Sequence, residues 1–287
     1  MRSVWALPLV ICGACNFHLA PVTTDVGAAD LAMAPPDLAV AAADAALGND
    51  LAGDPCGPAR TPPQNVLGVR CAIGNPPVLD GDLSEWGTLD YPLNHRNAQA
   101  QSGSSAWNDE PAEDDADCSA TFALRWDLTS LYVAIHVSDD IRGVHPGAAG
   151  YQPYLDDAIE LYLDGNGDRT ATYNADDWQY IVTADGSSQT YKTAVAQGTV
   201  PSTYFAVKND ASGAGYSVEL RIPWATLGAN TVVSGRMIGV DFLVDDDDDT
   251  QAQQLSRYLL WWNMSSAGCN YPSACTSNFG SAQLIGR

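Results

Sequence analysis

The chain has 287 residues, 46% of them apolar, enough to bury the core of one large domain. Thirteen Lys and Arg stand against 35 Asp and Glu, a net charge of −22. Such a surface repels phosphate backbones and anionic lipid heads, which argues against nucleic acid as a partner.

Residues 1–15, MRSVWALPLVICGAC, carry one Arg, an apolar stretch from Val4 to Ile11 and small residues before Cys15. This is the pattern of a bacterial lipoprotein signal, in which Cys15 is cleaved and lipidated, so an exported, outer-membrane-anchored protein is expected. Cys12 stands where that pattern has Leu, and plain secretion is the alternative. Residues 16–68 are dominated by Ala, Asp, Pro and Leu, with the recurrences ADLA, PDLA and NDLA. Few aromatics are available to build a core there, so the segment reads as a tether. Cys56, Cys71, Cys118, Cys269 and Cys275 remain in the mature chain. Without C-x-x-C spacing they read as disulfide formers, with Cys56–Cys71 and Cys269–Cys275 as the candidate pairs and Cys118 left over.

From residue 69 to the end the pattern has period two. TFALRW alternates Phe122, Leu124 and Trp126, and LYVAIHV alternates Leu131, Val133, Ile135 and Val137, which predicts a hairpin. AIELYLD puts Ile159, Leu161 and Leu163 on one face and Glu160 and Tyr162 on the other. Further strands are predicted at WQYIVTA, TYFAVKN, YSVELRIPW, MIGVDFLVD, LSRYLLWW and FGSAQLI, and PWATLG reads as a helical turn. Many short strands with one apolar face each predict an all-β fold, an antiparallel β-sandwich of jelly-roll-like form. No phosphate-binding glycine loop, nucleophile elbow or H-E-x-x-H occurs.

Asp164, Asn166 and Asp168 in DGNGD have the alternate spacing with which loops wrap calcium, and Asp176 and Asp177 are placed to fold back and complete the shell. The loop is not an EF-hand: Arg169 occupies the sixth position where Gly is required. Ordinary turn chemistry is the competing reading. The run Asp245–Asp249 reads as a solvated loop or a second calcium site, and residues 109–117 as a solvated insertion. Trp86 is expected in the core. His136 as a haem ligand would need a partner such as Met237 or Met264.

The segments PVLDGDLSEW, LYVAIHVSDD, YLDDAIELYLDGNGD, GYSVELRIPWATLG, IGVDFLVDDDDD and NFGSAQLI resemble, in the same order, the family 9 carbohydrate-binding module over residues 76–286. The resemblance implies a calcium-bearing sandwich that grips sugars between two aromatic rings, with Tyr154 and Tyr271 at the clamp positions and Glu160 as the strand carboxylate that accepts sugar hydroxyls. Ile181 and Thr183 stand where the family has a basic and an amide side chain, and Leu243 where it has an amide. The expected function is non-catalytic binding of a saccharide or polysaccharide by a lipid-anchored module serving polysaccharide breakdown, with structural Ca2+. The alternatives are an interaction lipoprotein that kept the sandwich and lost the sugar site, and a haem-binding electron-transfer domain.

Overall fold

A computed structural model describes residues 54–94, 114–147, 151–192, 195–213, 215–229, 231–248, 257–261 and 272–286, all within the unit Ala45–Arg287. Cys15, Trp107, Trp262, Met264, Cys269 and Tyr271 lie outside the described residues. The strands are β1 (Val66–Cys71), β2 (Tyr91–Leu93), β3 (Cys118–Trp126), β4 (Ser130–Asp139), β5 (Ala158–Asp164), β6 (Asp177–Thr183) and β7 (Ser188–Lys192). They continue as β8 (Val195–Gly198), β9 (Phe205–Asn209), β10 (Tyr216–Pro223), β11 (Met237–Asp246), β12 (Arg257–Leu260) and β13 (Gly280–Ile285). Among the described residues no helix is long and apolar enough to cross a membrane.

One hydrogen-bonded path runs β8-β7-β6-β5-β11-β13-β1-β3-β4-β10-β9, with β12 on β11 and β2 on β3. On a flat sheet β11 and β3, three steps of about 4.8 Å apart, would be separated by about 14 Å. Instead Phe242 of β11 stacks on Phe122 of β3 with ring centroids 4.0 Å apart. The path therefore turns a corner through β13 and β1 and lays one half over the other, which makes the predicted sandwich. Most ladders are antiparallel, but β1 is parallel to both β13 and β3.

The core is the set of inward residues that the alternation predicts. Phe122, Leu124 and Trp126 of β3 meet Leu131, Val133, Ile135 and Val137 of β4, and Ile159, Leu161 and Leu163 of β5 meet Ile238, Val240, Phe242 and Val244 of β11. Buried tryptophans satisfy their N–H groups: Trp126 Nε1 donates to the Ile285 carbonyl at 2.9 Å and Trp224 Nε1 to the Asp127 carbonyl at 2.8 Å. Trp86 is 3% exposed, and its Nε1 donates to Glu219 Oε1 at 2.7 Å. That same carboxylate accepts the Asp80 and Gly81 amides at 3.0 and 2.8 Å, which pins the DGDLSEW turn.

Several elements differ from expectation. The ordered fold starts earlier than residue 69, because Leu67 and Val69 enter the core and Cys56, itself buried, is bonded to Cys71 with an S–S distance of 2.00 Å. The Cys56–Cys71 pairing and the unpaired Cys118, which is buried, are as expected. PWATLG forms overlapping turns, with Thr226, Leu227 and Gly228 amides donating three residues back, and no helix. Strands β7 and β8 lack a strong apolar alternation, since SQTYK and VAQG are mostly polar, and extend the edge of one layer.

Candidate functional site

Strand parity and ladder register build the site. On β5 the odd residues Ile159, Leu161 and Leu163 enter the core, so Ala158, Glu160, Tyr162 and Asp164 project from the outer face. The antiparallel ladders set Glu160 opposite Ile181 of β6 on one side and Leu243 of β11 on the other. The two apolar departures from the family pattern thus flank the strand carboxylate directly.

Glu160 is 4% exposed. Its Oε2 accepts hydrogen bonds from Tyr162 Oη and from Gln179 Nε2, the latter at 2.7 Å. Burial raises the Glu160 carboxyl, opposed by hydrogen bonds from Tyr162, Asp245 and Gln179. Burial and then the charge of Glu160 push the Asp245 carboxyl well above the usual carboxylate range. Burial thus favours the protonated form of both acids. Around them lie aromatic rings. Tyr154, on the short turn Pro153–Leu155, meets Tyr191 of β7 edge to face at 6.2 Å, and Tyr162 lies 6.0 Å from Phe279. The sequence did not mark Gln179 and Tyr191, nor Asp245 as a neighbour of Glu160. The parity of β5 placed Tyr162 on this face; the other three needed the register.

The DGNGD loop sits at the end of β5. Of the five expected metal ligands, Asp164, Asp176 and Asp177 come together, with carboxylate oxygens within 4.8 Å of one another. Asn166 and Asp168 are exposed and bonded within the loop: Asn166 Oδ1 accepts the Asp168 amide at 2.7 Å, and Asp168 Oδ2 accepts from Asn166 Nδ2 and Asn174 Nδ2 at 3.0 and 3.1 Å. Asp164 and Asp177 are direct cross-strand partners, an arrangement that repels unless something screens it. Asp164 Oδ1 accepts the Gly167 amide at 2.6 Å and Asp177 Oδ2 the Asn174 amide at 2.6 Å. Asp177 Oδ1 is buried and accepts nothing from a described residue. Burial first, then Asp164, Asp176 and Asp168, push the Asp177 carboxyl up to about 6. Gly239, opposite Asp164, makes room, since a Cβ there would lie 2.8 Å from the Asp164 Cβ. A hard divalent cation fits this donor set, because it demands several oxygens and removes the repulsion. Arg169, held at φ 52°, carries the loop to β13 by donating to the Phe279 and Gly280 carbonyls at 2.7 and 3.0 Å.

The acidic run is not a solvated loop where it is described. Asp245, Asp246 and Asp247 are 3%, 0% and 0% exposed, because β11 extends to Asp246 and packs against the segment before β5. Asp157 accepts the Gly143 and Asp247 amides, each at 2.7 Å, and burial followed by Asp139 pushes its carboxyl up to about 9. His145 Nδ1 lies 3.2 Å from Asp247 and 3.4 Å from Asp156. Asp117 of the acidic insertion joins Asp246 and Asp248 in this end of the sandwich. His136 is engaged elsewhere, its Nε2 lying 3.0 Å from Asp210 Oδ2.

A family model, "Carbohydrate family 9 binding domain-like", matches residues 90–287. Among curated proteins, "Exoglucanase XynX" of Acetivibrio thermocellus is 28% identical over 220 residues, and "Endo-1,4-beta-xylanase A" of Thermoanaerobacterium saccharolyticum 27% over 220. These matches cover 76% of this chain and 17% and 16% of those proteins, so the chain spans under a fifth of their length. Among solved structures, a carbohydrate binding module family 9 from Caldicellulosiruptor kristjanssonii in complex with cellotriose has a TM-score of 0.55 at 22% identity, covering 77% of this chain and 94% of that one. The same module in complex with glucose has a TM-score of 0.54 at 22% identity, covering 77% and 96%.

Proposed function

Because this chain belongs to the carbohydrate family 9 binding domain-like family, we propose that it binds a saccharide without catalysis, through the outer face of β5, β6 and β11. The observation that carries the reading is the assembly of Tyr154, Tyr162 and Tyr191 around the Glu160 carboxylate and the Gln179 amide on that face. Aromatic faces cover the C–H face of a pyranose, while a carboxylate accepts from its hydroxyls and an amide both donates and accepts. Tyr154 is one half of the clamp that the family resemblance implies; Tyr271, the other half, lies outside the described residues. Calcium, held by Asp164, Asp176 and Asp177, supplies charge neutralisation that fixes the end of β5. Export through the signal segment, with a lipid at Cys15 and the residues between Cys15 and the disulfide-bonded Cys56 as tether, sets the module on the cell envelope, where it holds polysaccharide for degradation by separate enzymes.

Calorimetry of the full chain with glucose, cellotriose and soluble xylan tests the proposal. Binding of at least one, weakened in Tyr154→Ala, is expected; no heat with any of them, in protein that melts cooperatively, would sink it. A second reading draws on Ile181 and Leu243 beside a Glu160 only 4% exposed: a module that kept the sandwich and presents this face to a protein. That reading predicts no sugar binding by the same measurement.

A further inference from the structure

On the other side of the sheet from Glu160, where Trp178 and Tyr180 pair with the inward Leu163 and Leu161 of neighbouring β5, a groove of about 220 Å³ opens between β6 and β10. Trp178 and Tyr180 of β6 form one wall, and Tyr204 with Arg221 of β10 the other. Gln197, Thr199 and Thr226 line the rim, and Ile222 and Val200 belong to the core beneath. The volume lies below the ~300–1,000 Å³ typical of pockets for drug-sized ligands, which suits a single ring.

Both aromatic walls are fixed. Trp178 Nε1 donates to the Thr226 carbonyl at 3.0 Å, and Lys192 Nζ lies 4.2 Å from the centre of its ring. The Arg221 guanidinium stacks 5.2 Å from the centre of Tyr204 and donates to the Thr203 carbonyl at 3.0 Å. Tyr180 is 6% exposed, lines the groove, and its hydroxyl makes no hydrogen bond to a described residue. A phenol at the groove wall can both donate to and accept from a ligand hydroxyl. The lining has no carboxylate, although the chain carries 35 acids. The field of a −22 molecule disfavours an anion there, while a neutral ring with hydroxyl groups meets aromatic faces, a phenol, a guanidinium and an amide.

We propose that this groove is a second binding site, for one neutral pyranose unit of an oligosaccharide, stacked between Trp178 and Tyr204 with a hydroxyl on Tyr180. It stands on the chemistry of the groove and is independent of the β5 face. The test titrates the full chain and its variants with glucose, cellotriose, xylotriose and glucuronate, following tryptophan fluorescence and heat. In the Tyr154→Ala background a neutral sugar still binds. Adding Tyr180→Phe, which removes one oxygen, weakens that event about 2–10-fold, as expected for one neutral hydrogen bond, and adding Tyr204→Ala abolishes it, with each variant melting cooperatively. Unchanged affinity in both double variants, binding of glucuronate alone, or no neutral sugar bound by Tyr154→Ala would each overturn the groove. If Tyr154→Ala instead binds as the parent does and the groove variants do not, the β5-face reading falls and the groove stands.

Discussion

Replacing Asp177 with Asn should make the metal-free protein more stable and the calcium-loaded protein less so. Asp177 is opposed across the β5–β6 ladder by Asp164 and flanked by Asp176. Its carboxyl, at 3.8 in the unperturbed state, is pushed up to about 6 in the fold. The native state therefore holds its proton more tightly than the unfolded state does. As pH rises from about 4 to about 6 the unfolded chain releases the proton first, and stability falls across that window and stays low above it. Roughly two pH units correspond to about 3 kcal/mol, reduced to about 1–3 kcal/mol by solvent screening at the rim of the loop. The amide removes this cost, so in chelator at pH 8 the variant should melt about 2–10 °C higher. If the site takes calcium as proposed, the ion at about a thousand times its dissociation constant should stabilise the parent by about 4 kcal/mol, and the variant, short of one charged ligand, should gain far less. The assay is thermal denaturation of both proteins at pH 4, 6 and 8, with calcium or chelator. The parent's gain from calcium should be full at pH 8 and fade towards pH 4, where the carboxyls are protonated. A variant that melts below the parent in chelator, or that gains as much from calcium as the parent does, would refute the reasoning.

Glu160→Gln replaces a carboxyl oxygen, which Tyr162 and Gln179 bond and which accepts a sugar hydroxyl in the proposed site, by an amide, so calorimetry should show about 2–10-fold weaker sugar binding, the worth of one hydrogen bond; the melting temperature at pH 7 should not fall. Glu219→Ala orphans the Trp86 indole N–H and the Gly81 amide and leaves the Asp80 amide only the Val78 carbonyl at 3.1 Å. At least about 3 kcal/mol should be lost in denaturant unfolding, and retained stability would show that the clasp of the DGDLSEW turn is dispensable. Reduction of Cys56–Cys71, whose cysteines are 15 residues apart, should cost about 3 kcal/mol by loop-closure entropy, measured by denaturation with and without reductant.

The inward residues of β3, β4, β5, β10 and β11 were legible in the sequence, because a strand's period of two ties each residue's parity to a face. Glu160 was for that reason assigned to the polar face of β5 before any neighbour was known. What stands beside it was not legible. Ile181 and Leu243 are about 20 and 80 residues away along the chain and become its cross-strand partners only through the ladders β5–β6 and β5–β11. The loop shows the same division. Local spacing marked Asp164, Asn166 and Asp168 as a set, but the hairpin register brings Asp177 opposite Asp164 and leaves Asn166 and Asp168 bonded to each other. The run Asp245–Asp249 read as a solvated loop or a second calcium site; the tertiary fold buries Asp245 to Asp247 beside Asp157 and Glu160, which removes the solvated reading. Composition, faces and turns are local properties, written in the order of residues. Which strands meet, and in what register, depends on a core closed by residues remote in the chain, and that alone decided which side chains share a site.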